Sequence, residues 1–328
     1  MWRALRFWRV SMSGIANPSQ LQNARIVIST RVRDAYNAVP DNLLWYKLLA
    51  EEIPSTSDAQ AYFIEHMLPR MRKWVGSRLV RGLKREAVTV VNENYEETIG
   101  IPVNDVEDDR YDPYRSSMDA LGRAGALWLN DLVYSAIING GTTTWIDGQP
   151  FFHGSHPLTL QDGLSTTQSN LHTSMSLTAA NFGTVRARMR ALKGEDNQPL
   201  GVARGNKLIL AVPQELEDTA KRIVNADTVG YLSNSSSTAS DSNIYKDAAD
   251  VLVLPELSAD SATTWYVFDA MAPMKPFGVQ VRQRPDSVVV LNRPTDPNVF
   301  SEDVVLFGTK GRGAPVYGVW QCAAKCTA

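Results

Sequence analysis

The chain has 328 residues, 44% of them apolar and 21% charged, with 33 Lys and Arg nearly balanced by 35 Asp and Glu. This is the composition of a folded chain long enough for about two domains, and a net charge of −2 excludes a strongly basic nucleic-acid binder while allowing local basic patches. Two cysteines, Cys322 and Cys326, exclude a disulfide-stapled scaffold.

No apolar stretch reaches the roughly 18 residues that span a bilayer; the best, from Ala124 to Ile138, is broken by Asn130 and Asp131. The start of the chain is cationic, but Arg3, Arg6 and Arg9 interrupt any secretory h-region. Met12 is an alternative start, which would make the first eleven residues an extension without fixed structure.

Residues 1–60 are expected to form an irregular or partly helical arm punctuated by Gly14, Pro18, Pro40 and Pro54, with helical apolar spacing only from Asn42 to Glu52. Between Arg70 and Arg85 there are seven cations and no acid: Arg70, Arg72, Lys73, Arg78, Arg81, Lys84 and Arg85. The sign then reverses, with Glu86, Glu93, Glu96, Glu97, Asp105, Glu107, Asp108, Asp109 and Asp112. Within this stretch Ala87–Val91 and Glu97–Val103 have strand composition and are expected to pair as a hairpin through Asn92-Glu-Asn. A lone two-stranded ribbon is marginal, so it needs a surface to lie on.

The strongest helix is expected from Pro113 to Asn139, capped by Asp112 and ended by Gly140-Gly141. About 26 residues at about 1.5 Å each give roughly 40 Å. Its small residues Gly122, Ala124, Gly125 and Ala126 suit the close approach of another backbone. Residues 140–176 read as loop. Thr178 caps a helix running to Lys193, Lys207–Val212 is a buried strand, and Pro213 opens a helix with Leu216, Ala220, Ile223 and Val224 on one face. Residues 231–243 read as a polar Ser/Asn loop that cannot pack as core, and Ser233–Asn243 is expected to be dispensable for folding. Six strands follow: Asp250–Leu254, Thr264–Ala270, Val279–Arg284, Ser287–Leu291, Val304–Gly308 and Pro315–Gln321. Helices and strands mix without regular alternation, which specifies an α+β architecture.

No catalytic set emerges. His153 and His156 lie in Phe-Phe-His-Gly-Ser-His-Pro without the further ligands of a zinc site. His156 precedes Pro157, which biases it to an extended conformation, and it is expected to hydrogen-bond the loop shut. Gly154-Ser155 lacks the flanks of a nucleophile elbow, and Gly308-Thr-Lys-Gly-Arg-Gly lacks phosphate-loop spacing. Cys322 and Cys326 are expected to be free thiols, and Glu107-Asp108-Asp109 a solvated face or the partner of a basic surface. Catalytic, cofactor and metal residues are therefore expected to be absent. An extended arm, a charged ribbon and one long helix suit a protein built for many modest contacts repeated by symmetry.

Several segments carry a family resemblance: Trp74-Val-Gly-Ser-Arg, Glu97-Thr-Ile-Gly-Ile-Pro-Val-Asn-Asp-Val-Glu-Asp-Asp, Asp147-Gly-Gln-Pro-Phe-Phe with His156-Pro157, Pro199-Leu-Gly, Lys207 to Leu216, Met274-Lys-Pro-Phe-Gly-Val-Gln and Tyr317-Gly-Val-Trp-Gln. In this order, over about three quarters of the chain, they resemble the major head (capsid) subunit of Mu-like bacteriophages and prophages. The resemblance implies a Hong Kong 97-type α+β capsid fold. Its parts would be an N-terminal arm (1–69), an E-loop tongue (70–110), a peripheral domain with the spine helix (111–174), an axial domain (175–272) and the returning peripheral sheet (273–328).

The resemblance implies a non-enzymatic shell protein that assembles with itself into pentamers and hexamers around double-stranded phage DNA. That DNA would be held by non-specific contacts, and assembly would occur in the bacterial cytoplasm, without a membrane, alongside scaffold, protease and portal proteins. An encapsulin-like compartment shell is the alternative. Inter-subunit contacts are expected from Arg70, Arg72, Lys73, Arg78, Arg81, Lys84 and Arg85 against Glu96, Glu97, Glu107, Asp108 and Asp109.

Overall fold

A computed structural model describes residues 18–65, 85–160, 163–205, 207–232, 238–272, 274–293 and 295–328. In chain order the elements begin with α1 (Pro18–Asn37), the one-turn α2 (Tyr46–Leu49), β1 (Ala50–Pro54), β2 (Ala59–Glu65), β3 (Arg85–Val91) and β4 (Glu93–Pro102). Next come α3 (Val103–Glu107), α4 (Arg115–Asn139), β5 (His156–Thr159), β6 (Ser165–Gln168), β7 (Leu171–His172), α5 (Ala179–Ala191) and β8 (Leu208–Val212). They are followed by α6 (Glu217–Asn225), β9 (Thr228–Leu232), β10 (Thr238–Ser242), β11 (Ala249–Val253), α7 (Leu257–Asp260) and β12 (Trp265–Phe268). The chain ends with β13 (Phe277–Gln283), β14 (Val288–Leu291), α8 (Pro297–Glu302), β15 (Val304–Tyr317) and β16 (Ala323–Cys326). The chain divides into two compact units, the first comprising residues up to 44, 93–128 and 283–312, the second 45–92, 129–282 and 313–328.

In the first unit β14 pairs antiparallel with β15, and β4 lies along β15 as well. One sheet face meets helices over a core of Ala24, Ile28 and Val32 from α1, Met118 and Leu121 from α4, and Ile101, Val305 and Phe307 from the strands. The described part of the arm is partly helical, but its helix is α1 rather than Asn42–Glu52: Ala24, Ile28 and Val32 recur every four residues and bury one helical face. The exposed Ile26 and Val27 beside them blur that stripe in the sequence. Conversely, Asn42–Glu52 is a 3-10 turn (Asp41–Leu43), a single turn of α2 and then strand, not one helix.

α4 begins at Arg115, after a 3-10 turn over Asp112–Tyr114, and Asp112 pairs with Arg115 at 2.6 Å rather than capping the helix. Its small residues do admit a backbone: a Cβ on Gly122 would lie 2.3 Å from the Val32 carbonyl oxygen and 2.8 Å from Ala35 Cβ.

The second unit holds the mixed sheet β11-β8-β12-β16-β7, with β11 parallel to β8 and β12 antiparallel to both β8 and β16. β8 and β12 are buried at every position, as strands covered on both faces must be. Phe182, Val185 and Met189 of α5, and Ala220, Ile223 and Val224 of α6, belong to its core. Thr178 caps α5 by accepting from the Asn181 amide at 3.1 Å. Phe151, Phe152, Tyr266, Phe268, Phe277 and Tyr317 form a second aromatic cluster with neighbouring centroids 4.9–6.2 Å apart.

Other expectations are corrected here. Val304–Gly308 and Pro315–Gln321 are not two strands, because Val304–Tyr317 runs as one. Residues 140–176 contain β5, β6 and β7 rather than loop alone. Of the Ser/Asn loop, residues 233–237 lie outside the described residues; β9 and β10 pair antiparallel on either side of them, and Asn243, after β10, is 9% exposed. Its side-chain amide donates to the Ile223 and Ala226 carbonyls at 2.8 and 2.9 Å while its oxygen accepts from the Tyr245 amide, so this end of the stretch is buried and engaged rather than free of the core.

Gly122→Val should destabilise the subunit by about 1–3 kcal/mol, because the clash is with backbone that cannot turn aside. Gly141→Ala, where an added Cβ meets nothing within 4 Å, is the control and should leave the urea midpoint unchanged.

Candidate functional site

The two-stranded ribbon cannot hold itself and must be anchored to a larger body. Its strands are β2 and β3, paired antiparallel from Ala59↔Val91 to Glu65↔Arg85. The expected hairpin of Ala87–Val91 with Glu97–Val103 does not form, since β4 pairs with β15. Asn92 is therefore no turn apex. It is 6% exposed, and its amide nitrogen donates to Ser55 Oγ, Ser57 O and Asp58 O. Its Oδ1 accepts from Gln280 Nε2 at 2.7 Å, and Gln280 Oε1 accepts from Tyr62 OH at 2.6 Å. A fully buried glutamine of β13 thus pins the ribbon's base.

Of the expected contact residues, Arg70, Arg72, Lys73, Arg78, Arg81 and Lys84 lie outside the described residues, and Arg85 enters only as the first residue of β3. The acids are visible. Glu96 and Glu97 are exposed on β4, where Glu96 accepts from Thr98 Oγ1 at 2.8 Å. Glu107 ends α3; Asp108 pairs with Arg110 at 3.0 Å, and Asp109, at φ 52°, accepts from Tyr111 OH at 3.2 Å. Asp108 and Asp109 remain exposed, which suits a contact surface better than a chelate.

A buried polar centre lies in the second unit. His156 is fully buried, with Nδ1 2.5 Å from Asp147 Oδ2 and Nε2 3.1 Å from Asn170 Oδ1. Asn170 Nδ2 donates to the Phe151 and Trp320 carbonyls, so its Oδ1 is left to accept and Nε2 donates. Burial raises the Asp147 carboxyl, but the hydrogen bond and charge of His156 and the Gln149 amide outweigh it and hold it below the usual range. The two ring nitrogens of His156 thus face Asp147 and Asn170, and the Trp320 ring is stacked on the imidazole at 3.9 Å and 8°. The expectation that His156 closes this loop holds; Asn170, Asp147 and Trp320 complete the closure. Only Asp147 and Trp320 lie in segments the sequence singled out, and Asn170 carries no signal at all.

A cavity of about 260 Å³ adjoins this centre, lined by Trp145, Val202, Asp269, Met271 and Trp320 among others. Asp269 accepts from the Ala203 and Met271 amides at 2.7 and 3.1 Å and is engaged in holding backbone. Cys322 and Cys326 are buried free thiols. Burial pushes Cys322 up to about 12 and Cys326 higher still, so neither is a thiolate near neutrality. His153 accepts from the Ser155 amide at 3.2 Å. Among the described residues no three His, Cys, Asp or Glu gather as metal ligands, and no helix is long and apolar enough to cross a membrane.

A family model, the Mu-like prophage major head subunit gpT, matches residues 21–176, 171–257 and 255–328. The chain belongs to this family. The head subunit is 22% identical over 291 residues to the major capsid protein of Escherichia phage Mu, covering 89% of this chain and 69% of that one. It is also 22% identical over 278 residues to the Mu-like prophage FluMu major head subunit of Haemophilus influenzae, covering 85% and 64%. It thus spans about two thirds of the length of these relatives.

Among solved structures, the procapsid of bacteriophage JBD30 matches with TM-score 0.58 and 22% identity over 95% of this chain and 76% of that one. Mycobacterium phage Patience matches with TM-score 0.51 and 13% identity over 98% and 94%. A virus-like particle from Pyrococcus furiosus matches with TM-score 0.51 and 10% identity over 92% and 99%. The α+β fold is the Hong Kong 97-type capsid fold. Phage capsids and a virus-like particle share this fold, so fold alone does not decide what kind of shell the chain builds. The sequence match does: the head subunit is a major capsid protein of the phage type, and the encapsulin-like alternative is not favoured.

His156→Ala should cost about 3–5 kcal/mol in urea unfolding of the subunit, because it strands the Asp147 carboxylate in a buried site. His172, in β7, gives the pH dependence. Its Nδ1 lies 3.2 Å from Arg188 Nη1, and burial together with the Arg188 charge lowers it from 6.5 to about 4. Between those values the unfolded chain binds the additional proton. Stability should therefore fall as the pH drops from about 6.5 to about 4, with no further loss from this group below that. His172→Gln should flatten that part of the profile of unfolding midpoint against pH.

Proposed function

We propose that the head subunit assembles with copies of itself into pentamers and hexamers of a closed icosahedral shell around double-stranded phage DNA. The observation that carries this reading is the family match, which runs almost without a gap from residue 21 to residue 328. The protein acts through surfaces rather than catalysis: its buried histidine is engaged with Asp147 and Asn170, and its thiols are sealed in the core. Scaffold, protease and portal proteins are its expected partners, and the bacterial cytoplasm the site of assembly. DNA contacts are non-specific, in keeping with a net charge near zero.

The ribbon is the main bridge between copies. In this reading the cations Arg70, Arg72, Lys73, Arg78, Arg81, Lys84 and Arg85 of one copy face Glu96, Glu97, Glu107, Asp108 and Asp109 of another. Exposed pairs contribute about 0–1 kcal/mol each, but the shell repeats them on every copy.

Electron microscopy of the purified protein should show closed shells, and particles from infected or induced cells should retain DNA after nuclease treatment. Open aggregates, or shells holding protein cargo, would refute the reading. Changing Arg78, Arg81 and Lys84 together to Glu should block assembly while the circular dichroism spectrum of the subunit stays unchanged.

A further inference from the structure

Strand β14 is apolar on both faces. Val288 and Val290 pack into the core of the first unit, whereas Val289 and Leu291 are 61% and 46% exposed. The register sets Val289 opposite Gly308 and Leu291 opposite Leu306. With Thr98 and Lys310 these residues line a groove of about 250 Å³. A solvated antiparallel strand normally alternates apolar with polar residues. Four successive apolar residues from Val288 to Leu291 mean that the outer face is built to be covered.

The same unit displays a matching knob. Phe300, in α8, is the most exposed large apolar side chain among the described residues. Its turn is held firmly, because the buried Asn298 donates from Nδ2 to the Leu291 and Val304 carbonyls at 3.1 and 2.6 Å. Glu302 and Asp303 follow it, both exposed, while the groove carries the exposed Lys310. Knob and groove are complementary in both shape class and charge.

We propose that Phe300 of one copy seats in the groove formed by Val289, Leu291 and Leu306 of a neighbouring copy, with Glu302 facing Lys310. The inference rests on the shell reading above. Two different patches of one surface meet, so the contact is heterologous and suits a closed ring. A phenylalanine buries about 150–250 Å², which even counted on both partners is far below the roughly 1,200 Å² of a stable free-standing interface. Isolated subunits therefore do not pair through it; it operates only where the shell already holds neighbours in place.

The test is disulfide trapping in intact particles of the double variant Val289→Cys and Phe300→Cys, with each single variant as control. The native thiols are buried and do not compete. Oxidation should give a ladder of linked subunits on a non-reducing gel from the double variant alone. Phe300→Asp should lower particle yield about tenfold or more, since each 1.4 kcal/mol lost is tenfold in a contact equilibrium. Lys310→Glu should lower it less and be rescued by Glu302→Lys. A double variant that stays monomeric on the gel in well-formed particles, or full particle yield from Phe300→Asp, would overturn the contact and leave the shell reading standing. An unmodified chain that forms no particles at all would instead overturn the shell reading, and the contact with it.

Discussion

The fold of the second unit depends on satisfying one buried amide. Asn170 uses both amide hydrogens on the Phe151 and Trp320 carbonyls, and its side-chain oxygen accepts from the His153 amide and His156 Nε2. Its backbone donates to His153 O and accepts from the Lys325 amide. One residue thus ties together chain segments at 151–156 and 320–325, neither of which is a long regular element. An apolar residue at 170 would strand several buried polar groups at once, each costing about 1–3 kcal/mol. The contact between His156 and Asp147 follows from the same constraint, because the Asn170 oxygen fixes which ring nitrogen must donate. Excellent geometry and full pairing are what make such a buried pair tolerable.

The ribbon obeys a similar logic. β2 and β3 cannot build a core by themselves, so their stability comes from the end that touches the body of the protein. There Tyr62, Gln280 and Asn92 form a chain of side-chain hydrogen bonds, and Arg282 donates to the Ser55 carbonyl. A base fixed by directional bonds, rather than by apolar contact, sets the ribbon's exit direction. In the proposed shell, that suits a ribbon that meets another copy at a defined place.

What the sequence revealed divides along physical lines. Elements whose apolar pattern is decided locally were legible: the 25 residues of α4, the capped α5, the amphipathic α6, and the wholly apolar β8 and β12. Those settled by distant partners were not. Cys-Ala-Ala-Lys-Cys has little strand preference, yet β16 is a strand because β12 and β7 flank it. Ala87–Val91 was recognisable as strand, but its partner lies upstream at Ala59–Glu65, and no local signal distinguishes that pairing from a tight turn at Asn92. In the buried centre, His156 announced itself through the following proline. Asn170 did not, because nothing in a short polar loop distinguishes an asparagine that is solvated from one that is saturated by four buried partners.

These features place strong interactions inside the subunit and weak ones outside it. The buried centre and the aromatic cluster around Phe151 and Phe277 fix the body, and removing any one partner costs a large part of a stability that totals only about 5–15 kcal/mol in an ordinary domain. The exposed ion pairs, by contrast, are each worth about 0–1 kcal/mol and are screened by salt. For a subunit that must find its place among identical neighbours, the ordering matters. Weak contacts let a misplaced copy leave, while a rigid body ensures that a correctly placed copy offers all its contacts in the right geometry at once. The entropy of ordering each surface is then met when the subunit folds rather than each time a contact forms, so modest contacts add up across the shell without any one of them having to be tight.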